Sequence, residues 1–176
     1  PQAVKFPKSA EEIIALVTSG VRIIPRAAGT SLAGQVVGDG TVLDTGRFMN
    51  TILQVNIEER WAEIQPGVIR DELNHHLKDY GLFFGPNTST SNRCMLGGMV
   101  GNNSSGSTSI YYGTTREKLL GLELVTADGV LRAIGAINSD GIRKIPKAVE
   151  KWIEKWSIAW SDKNLAQYFP DPGIHR

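Results

Sequence analysis

Two segments of this 176-residue chain concentrate glycine together with hydroxyl and amide side chains, the combination that lets a backbone close around a polar ligand. The first is Pro25-Arg26-Ala27-Ala28-Gly29-Thr30-Ser31-Leu32-Ala33-Gly34-Gln35. Its small side chains allow main chain to approach a ligand closely, and consecutive amides in a tight loop make a concave anion site suited to a pyrophosphate. Thr30 and Ser31 add hydroxyl donors. The second segment runs from Pro86-Asn87-Thr88-Ser89-Thr90-Ser91 into Leu96-Gly97-Gly98-Met99-Val100-Gly101-Asn102-Asn103-Ser104-Ser105-Gly106. Gly97, Gly98 and Gly101 permit a short helix to pack closely on a ligand, while Asn102 and Asn103 both donate and accept hydrogen bonds, which suits a polar ring edge.

Two familiar nucleotide signatures fail on these segments. Gly29 and Gly34 have the glycine spacing of a Walker loop, but Gln35 and Val36 stand where Lys and Ser or Thr are required. Neither segment has the G-x-G-x-x-G pattern of a dinucleotide-binding Rossmann turn. One glycine-rich loop alone is as readily a plain surface connection. A pair attached to different lobes faces a shared cleft, where extended ligands bind.

The elements around the loops are legible. Ala3 to Phe6 reads as a strand, and Ser9-Ala10-Glu11-Glu12 as a capping box that starts a helix at Ala10. Gly20 is placed to end that helix in the left-handed conformation, with a strand at Val21 to Ile24 following at once. Strand, helix and strand so closely joined predict a parallel βαβ unit, with Thr41 to Asp44 as a further strand. From Ile52 the pattern ILQVNIEERWAEIQPG predicts a hairpin turning at Glu58-Glu59-Arg60 and the start of a second lobe. Val68, Ile69, Leu73, Leu77 and Tyr80 recur at helical spacing up to Gly81, residues 118–134 predict a hairpin turning at Asp128-Gly129, and Pro146 to Trp160 reads as a helix. The fold class expected is α+β: a first lobe over 1–56 with a small parallel sheet, a second over 57–136 with a mainly antiparallel sheet and flanking helices, and a helical segment over 137–176.

The rest of the composition narrows the function. At 41% hydrophobic and 21% charged the chain can bury a sizeable core, and a net charge of +1 offers no basic stripe for nucleic acid or an anionic membrane. The single cysteine, Cys94, permits no intrachain disulfide and no cysteine pair for a metal, which fits a reducing, cytoplasmic compartment. Cys94 reads as a small packed residue. His75 and His76 are adjacent on a predicted helix and diverge, so no shared metal is expected; one should be solvated and the other partly packed. No apolar run approaches the roughly 20 residues that span a bilayer. The Trp152, Trp156 and Trp160 stripe reads as core, or as a contact with a further domain.

Five motifs in order carry a family resemblance: PRAAGTSLAGQ, the QPG containing Pro66 and Gly67, GLFFGPNTSTSN, GGMVGNNSSG, and the YGTT that begins at Tyr112 and Gly113. Over roughly residues 1–136 they resemble the FAD-binding domain shared by the D-type glycolate oxidase subunits and the D-lactate dehydrogenases, of the vanillyl-alcohol oxidase and p-cresol methylhydroxylase type. The look is that of long bacterial members fused to an iron–sulfur part, relatives of D-2-hydroxyglutarate dehydrogenase. The resemblance implies that Arg26 to Gln35 wraps the FAD pyrophosphate and that Pro86 to Gly106 runs along the diphosphate and isoalloxazine. It further implies a parent that oxidises a D-2-hydroxy acid of the lactate, glycolate or 2-hydroxyglutarate type, by hydride transfer to FAD. Electrons would pass on to an iron–sulfur acceptor or quinone. A flavin-carrying electron-transfer or docking module is the alternative.

The departures matter as much. Ala27 and Ala28 stand where the family has glycines, and Ser105 where relatives often have cysteine. The first loop holds no histidine, the residue that covalently flavinylated relatives carry there, so the flavin is expected to be noncovalent. The family's later G-S-E-G-T-L-G segment does not occur up to Arg176. The substrate-binding part is therefore expected in a C-terminal domain beyond this stretch, which alone should be inactive, and no catalytic residue is assigned.

Overall fold

A computed structural model describes residues 1–135. The helix expected at Pro146 to Trp160 and the segment 137–176 lie outside the described residues. Strand β1 (Ala3–Lys5) leads to helix α1 (Ala10–Thr18), then to strands β2 (Ile23–Arg26) and β3 (Thr41–Asp44). These form a parallel sheet in the order β1-β3-β2. Thr41, Val42 and Leu43 are all buried, as expected of a central parallel strand covered on both faces.

The start of α1 follows the sequence with one change. The Ser9 hydroxyl accepts from the Glu12 amide at 3.4 Å, but the Glu12 carboxylate accepts from the Lys8 amide at 2.9 Å rather than from Ser9. Gly20, at φ +76°, ends the helix as expected. Strand β2 begins two residues later than the sequence suggested and takes in Pro25 and Arg26. Proline is tolerated because β2 is an edge strand, where a missing amide breaks no inner ladder.

Strands β4 (Ile52–Asn56) and β5 (Trp61–Ile64) form the expected hairpin, with Arg60 at φ +59° in its turn and a register shift between Ile52 and Gln54. Helix α2 (Arg70–Lys78), helix α3 (Leu96–Asn102) and the short helix α4 (Ser109–Tyr112) follow, then a hairpin of β6 (Leu122–Val125) and β7 (Leu131–Ile134). The single, mainly antiparallel sheet expected of the second lobe is not formed among the described residues. The hairpins are separate two-stranded ladders, because α2 and α3 with their buried loops intervene. The β6–β7 turn instead lies against the end of α1, where a β-carbon on Gly129 would run into the Thr18 methyl.

One core holds this half together. Val68, Leu73, Leu77, Cys94, Leu96 and Met99 are buried, with Ile52, Val55, Ala62, Ile64, Leu82 and Phe84 packed around them. Each fully buried aliphatic side chain there contributes about 1.5–3 kcal/mol relative to exposure. Both strands of the β4–β5 hairpin join this core, so the expected boundary at residue 56 falls inside a unit that packs as one. Cys94 is a packed core residue, its thiol against the Met99 sulfur at 3.6 Å. His75 and His76 are both exposed on α2, contrary to the expected one-in, one-out arrangement, because Leu73 and Leu77 take the buried face.

Candidate functional site

The site lies where the first loop meets α3, and the second loop reaches it through a chain of internal restraints. The Pro86–Ser91 segment is held from α2. Arg70 donates from Nε to the Pro86 carbonyl and from Nη2 to the Phe84 carbonyl, each at 3.1 Å, and pairs with Asp71 at 2.8 Å. Asn74 closes a reciprocal pair with the Phe84 backbone. Buried carbonyls need such partners, and α2 supplies them from side chains.

Most polar side chains of the second loop are likewise engaged with their own loop. The Asn87 carbonyl accepts from the Thr108 amide and hydroxyl at 3.2 and 2.8 Å, and the Thr88 hydroxyl meets Thr90 and Cys94 at 3.2 and 3.3 Å. Asn103, left-handed at φ +48°, accepts from the Arg116 amide at 2.9 Å. The Ser104 carbonyl takes both donors of the buried Thr115. A β-carbon on Gly106 would run into the Asn87 carbonyl oxygen. Gly113, at φ +80°, lies against the Glu117 carboxylate, which accepts from the Thr114 amide and hydroxyl. Those bonds, the amide first, hold the Glu117 carboxyl below its ordinary value. Tyr112 packs edge-on against Phe83 at 5.1 Å and covers Gly85. Ser89 is exposed.

Helix α3 presents two unlike glycine faces. Gly97 donates to the Pro66 carbonyl at 2.8 Å, and a β-carbon on it would stand 2.5 Å from the Pro66 Cβ. Gly67 is wedged in turn against the Met49 and Thr45 carbonyls, at 2.6 and 2.7 Å from the position its β-carbon would take. Pro66, Gly67 and Gly97 therefore form a packed junction. One residue on, Gly98 has only the Ala27 Cβ near it, at 3.4 Å, and Gly101 has open space. Gly98, Gly101 and Asn102 share a face by helical spacing, and that face meets the first loop, with Gln35 Nε2 donating to Asn102 Oδ1 at 2.8 Å.

The first loop is nearly free of internal side-chain bonds. Gly29 at φ +69° makes the turn, a conformation costing about 1–2 kcal/mol for a residue with a β-carbon. Ala27 and Ala28 do not have positive φ, which removes the conflict with alanine at those positions. Thr30 is half-buried and Leu32 fully exposed. The Ser31 hydroxyl is buried without a hydrogen-bond partner among the described residues. An orphaned polar group of that kind costs about 1–3 kcal/mol unless a ligand supplies the missing bond.

Of the residues singled out from sequence, the structure brings Ala27, Gly29, Ser31, Gln35, Gly98, Gly101 and Asn102 to one place. Pro25 and Arg26 sit in the strand leading to it. Pro66, Gly67, Gly97, Gly106, Tyr112 and Gly113 are taken up by packing, and Asn87, Thr88 and Asn103 by internal hydrogen bonds. Sequence reasoning missed Arg70, Asp71 and Asn74. Their signal was a run of polar residues at the start of an amphipathic helix, which reads equally as a solvated face. No cluster of three or more potential metal ligands occurs among the described residues, and no helix there is long and apolar enough to cross a membrane.

Residues 1–135 match the family described as FAD binding domain. The D-2-hydroxyglutarate dehydrogenase of Haemophilus influenzae is 38% identical over 157 residues, covering 85% of this chain and 15% of the relative. That of Pseudomonas putida is 43% identical over 136 residues, 73% of this chain and 14% of the relative. The glycolate oxidase subunit GlcD of Bacillus subtilis is 34% identical over 146 residues, 80% and 31% respectively. Among solved structures, an alkyldihydroxyacetonephosphate synthase superposes with a TM-score of 0.68 at 30% identity, over 77% of this chain and 29% of that one. The chain thus spans less than a third of the length of each of these proteins.

Proposed function

The chain belongs to the FAD-binding domain family, and from that premise we propose that its two glycine-rich loops hold FAD without a covalent bond in a flavin-dependent dehydrogenase of D-2-hydroxy acids. The observation that carries the reading is the open face of Gly98, Gly101 and Asn102 set against the first loop, beside a buried hydroxyl with no partner. These residues fit the cofactor. A diphosphate needs donors and room for close main-chain approach, and the Ser31 hydroxyl, the Thr30 hydroxyl and the loop amides around Gly29 supply them.

Bound FAD supplies a hydride acceptor. The chain's own part is binding and orientation: Ser31 and Gln35 hold the polar backbone of the cofactor, and Gly98 and Gly101 leave it room. Asn102 exchanges its bond with Gln35 for one to the cofactor. Pro25, Arg26, Ala27, Ala28 and Leu32 frame the same groove. Pro66, Gly67, Pro86, Asn87, Thr88, Ser89, Gly97, Asn103, Gly106, Tyr112 and Gly113 shape its far wall, several through packing rather than contact.

In this reading there are two lobes, the first over 1–56 less the strand β4 and the second over 57–136 with it. Segment 137–176 leads to the substrate-bearing part that the longer relatives' lengths leave room for. The protein works in the cytoplasm and passes electrons to an iron–sulfur acceptor. Relatives named as dehydrogenases and as part of an oxidase favour the enzyme over a docking module without a substrate.

The test is a flavin titration followed by acid precipitation. FAD added to the chain should bind, and acid should then give a colourless pellet and a yellow supernatant. Colour kept in the pellet would overturn noncovalent attachment, and no binding at any FAD concentration would overturn the site. In the whole protein, a D-2-hydroxy acid should bleach the bound flavin, and failure of lactate, glycolate and 2-hydroxyglutarate alike would overturn the substrate class.

A further inference from the structure

We infer that Arg70 and Asp71, at the start of α2, are positioning residues that set the second loop for the cofactor by clamping both ends of one segment; the inference rests on the FAD reading above. Arg70 holds the entry to the segment through the Phe84 and Pro86 carbonyls, both at 3.1 Å. Asp71 holds the exit: its Oδ2 accepts from the Ser91 hydroxyl at 3.1 Å and its amide donates to the Ser91 carbonyl at 3.2 Å. The two side chains are joined by their own ion pair at 2.8 Å, so entry and exit are tied to each other as well as to the helix. The Arg70 amide adds a bond to the Cys94 carbonyl at 3.0 Å.

The clamp is built for direction rather than for bulk stability. Arginine's planar fork reaches two carbonyls and a carboxylate at once, which a lysine ammonium on a flexible stem does not reproduce. The Arg70 side chain is 15% exposed, so the guanidinium is shielded enough for its bonds to be stronger than those of a surface pair. Between the clamped ends lie Asn87, Thr88 and Ser89. Asn87 in turn fixes the turn around Thr108 and the close approach of Gly106. A shift of entry or exit therefore propagates to the whole wall opposite the first loop.

The experiment compares FAD affinity with thermal stability in the 176-residue chain. Arg70→Met should raise the FAD Kd about tenfold or more, Arg70→Lys should recover part of the loss, and Ser91→Ala, which frees the exit alone, should raise Kd by a smaller factor. Val55→Ala, which trims the core away from the loop, should lower Tm while leaving Kd within about twofold. Amide hydrogen exchange without FAD should be faster over residues 84–91 in Arg70→Met than in Val55→Ala. If wild type binds FAD and Arg70→Met binds it equally, the clamp proposal fails and the FAD reading stands. A proportional loss of Tm and affinity in Arg70→Met, Arg70→Lys and Val55→Ala alike would reduce Arg70 to an ordinary structural residue. Absence of FAD binding by wild type would overturn both readings, and faster exchange over 84–91 would then show only that the clamp is structural.

Discussion

The two loops share a composition and differ in what their side chains do. Residues 26–35 carry one side-chain bond to another part of the chain, from Gln35 to Asn102, and a buried hydroxyl at Ser31 with no partner. Residues 84–117 are cross-linked by Arg70, Asn74, Asn87, Thr108, Asn103, Thr115 and Glu117. One loop keeps its donors free, and the other uses them to fix its own shape. A ligand site needs both: a preorganised wall costs no ordering when the ligand arrives, and a loop with free donors supplies the contacts. Glycine content alone does not say which role a loop has.

The neighbouring glycines of α3 put this contrast under the most strain. Gly97→Ala should destabilise the protein by about 2 kcal/mol, because the new methyl enters the Pro66 junction and neither backbone can yield cheaply. Gly98→Ala should have the opposite sign, stabilising by about 0.5–1 kcal/mol as alanine replaces glycine within a helix, while weakening FAD binding. Chemical denaturation of both variants checks this; equal destabilisation would show that the two faces of α3 are not different. Next in size, Ser31→Ala should leave stability unchanged or slightly raised, since it removes an unsatisfied hydroxyl, and should weaken FAD by about tenfold. Calorimetric titration of the variant reads both. Gly29→Ala should cost about 1 kcal/mol through its positive φ and displace the Arg26 side chain, whose Nε lies 2.8 Å from the new carbon.

The smallest effect is on pH. The Glu117 carboxyl is held below its ordinary value of 4.5, chiefly by the Thr114 amide. Its contribution is therefore complete above that value and is lost as pH falls through the lower folded value. Wild type should lose more stability than Glu117→Gln on acidification below about pH 4.5. Because the group is exposed, the difference should be small; parallel curves would show that this carboxylate does not hold the Gly113 turn. Asp128, drawn down to about 2 by the Thr126 hydroxyl, the Arg132 guanidinium and the Val130 amide, holds its hairpin turn to lower pH than Glu117 holds its own.

Local signals made most elements legible. The Ser9 cap, Gly20, the Glu58 to Arg60 turn and the Asp128-Gly129 turn are each set by neighbours in sequence, and all appear where expected. What could not be read was arrangement at a distance. That β3 lies between β1 and β2, that β2 shifts to include Pro25 and Arg26, and that the hairpins do not merge are outcomes of packing between distant segments. The site shows the same limit. Glycine, serine and asparagine marked both loops, yet Gly97 and Gly98 are identical in sequence terms and serve opposite needs. Arg70 and Asn74 carried no glycine-loop signal, because a residue that holds a loop from a neighbouring helix looks in sequence like any solvated helical residue.

Hydrogen exchange of the chain with and without FAD bears on the open loop and the prebuilt wall together, because it locates the cofactor rather than only detecting it. FAD should slow exchange strongly over residues 27–35 and around 98–103, and change 104–117 little, since that stretch is already bonded to itself. Protection confined to 104–117, or spread evenly over the chain with none at 27–35, would contradict the roles given to the two loops.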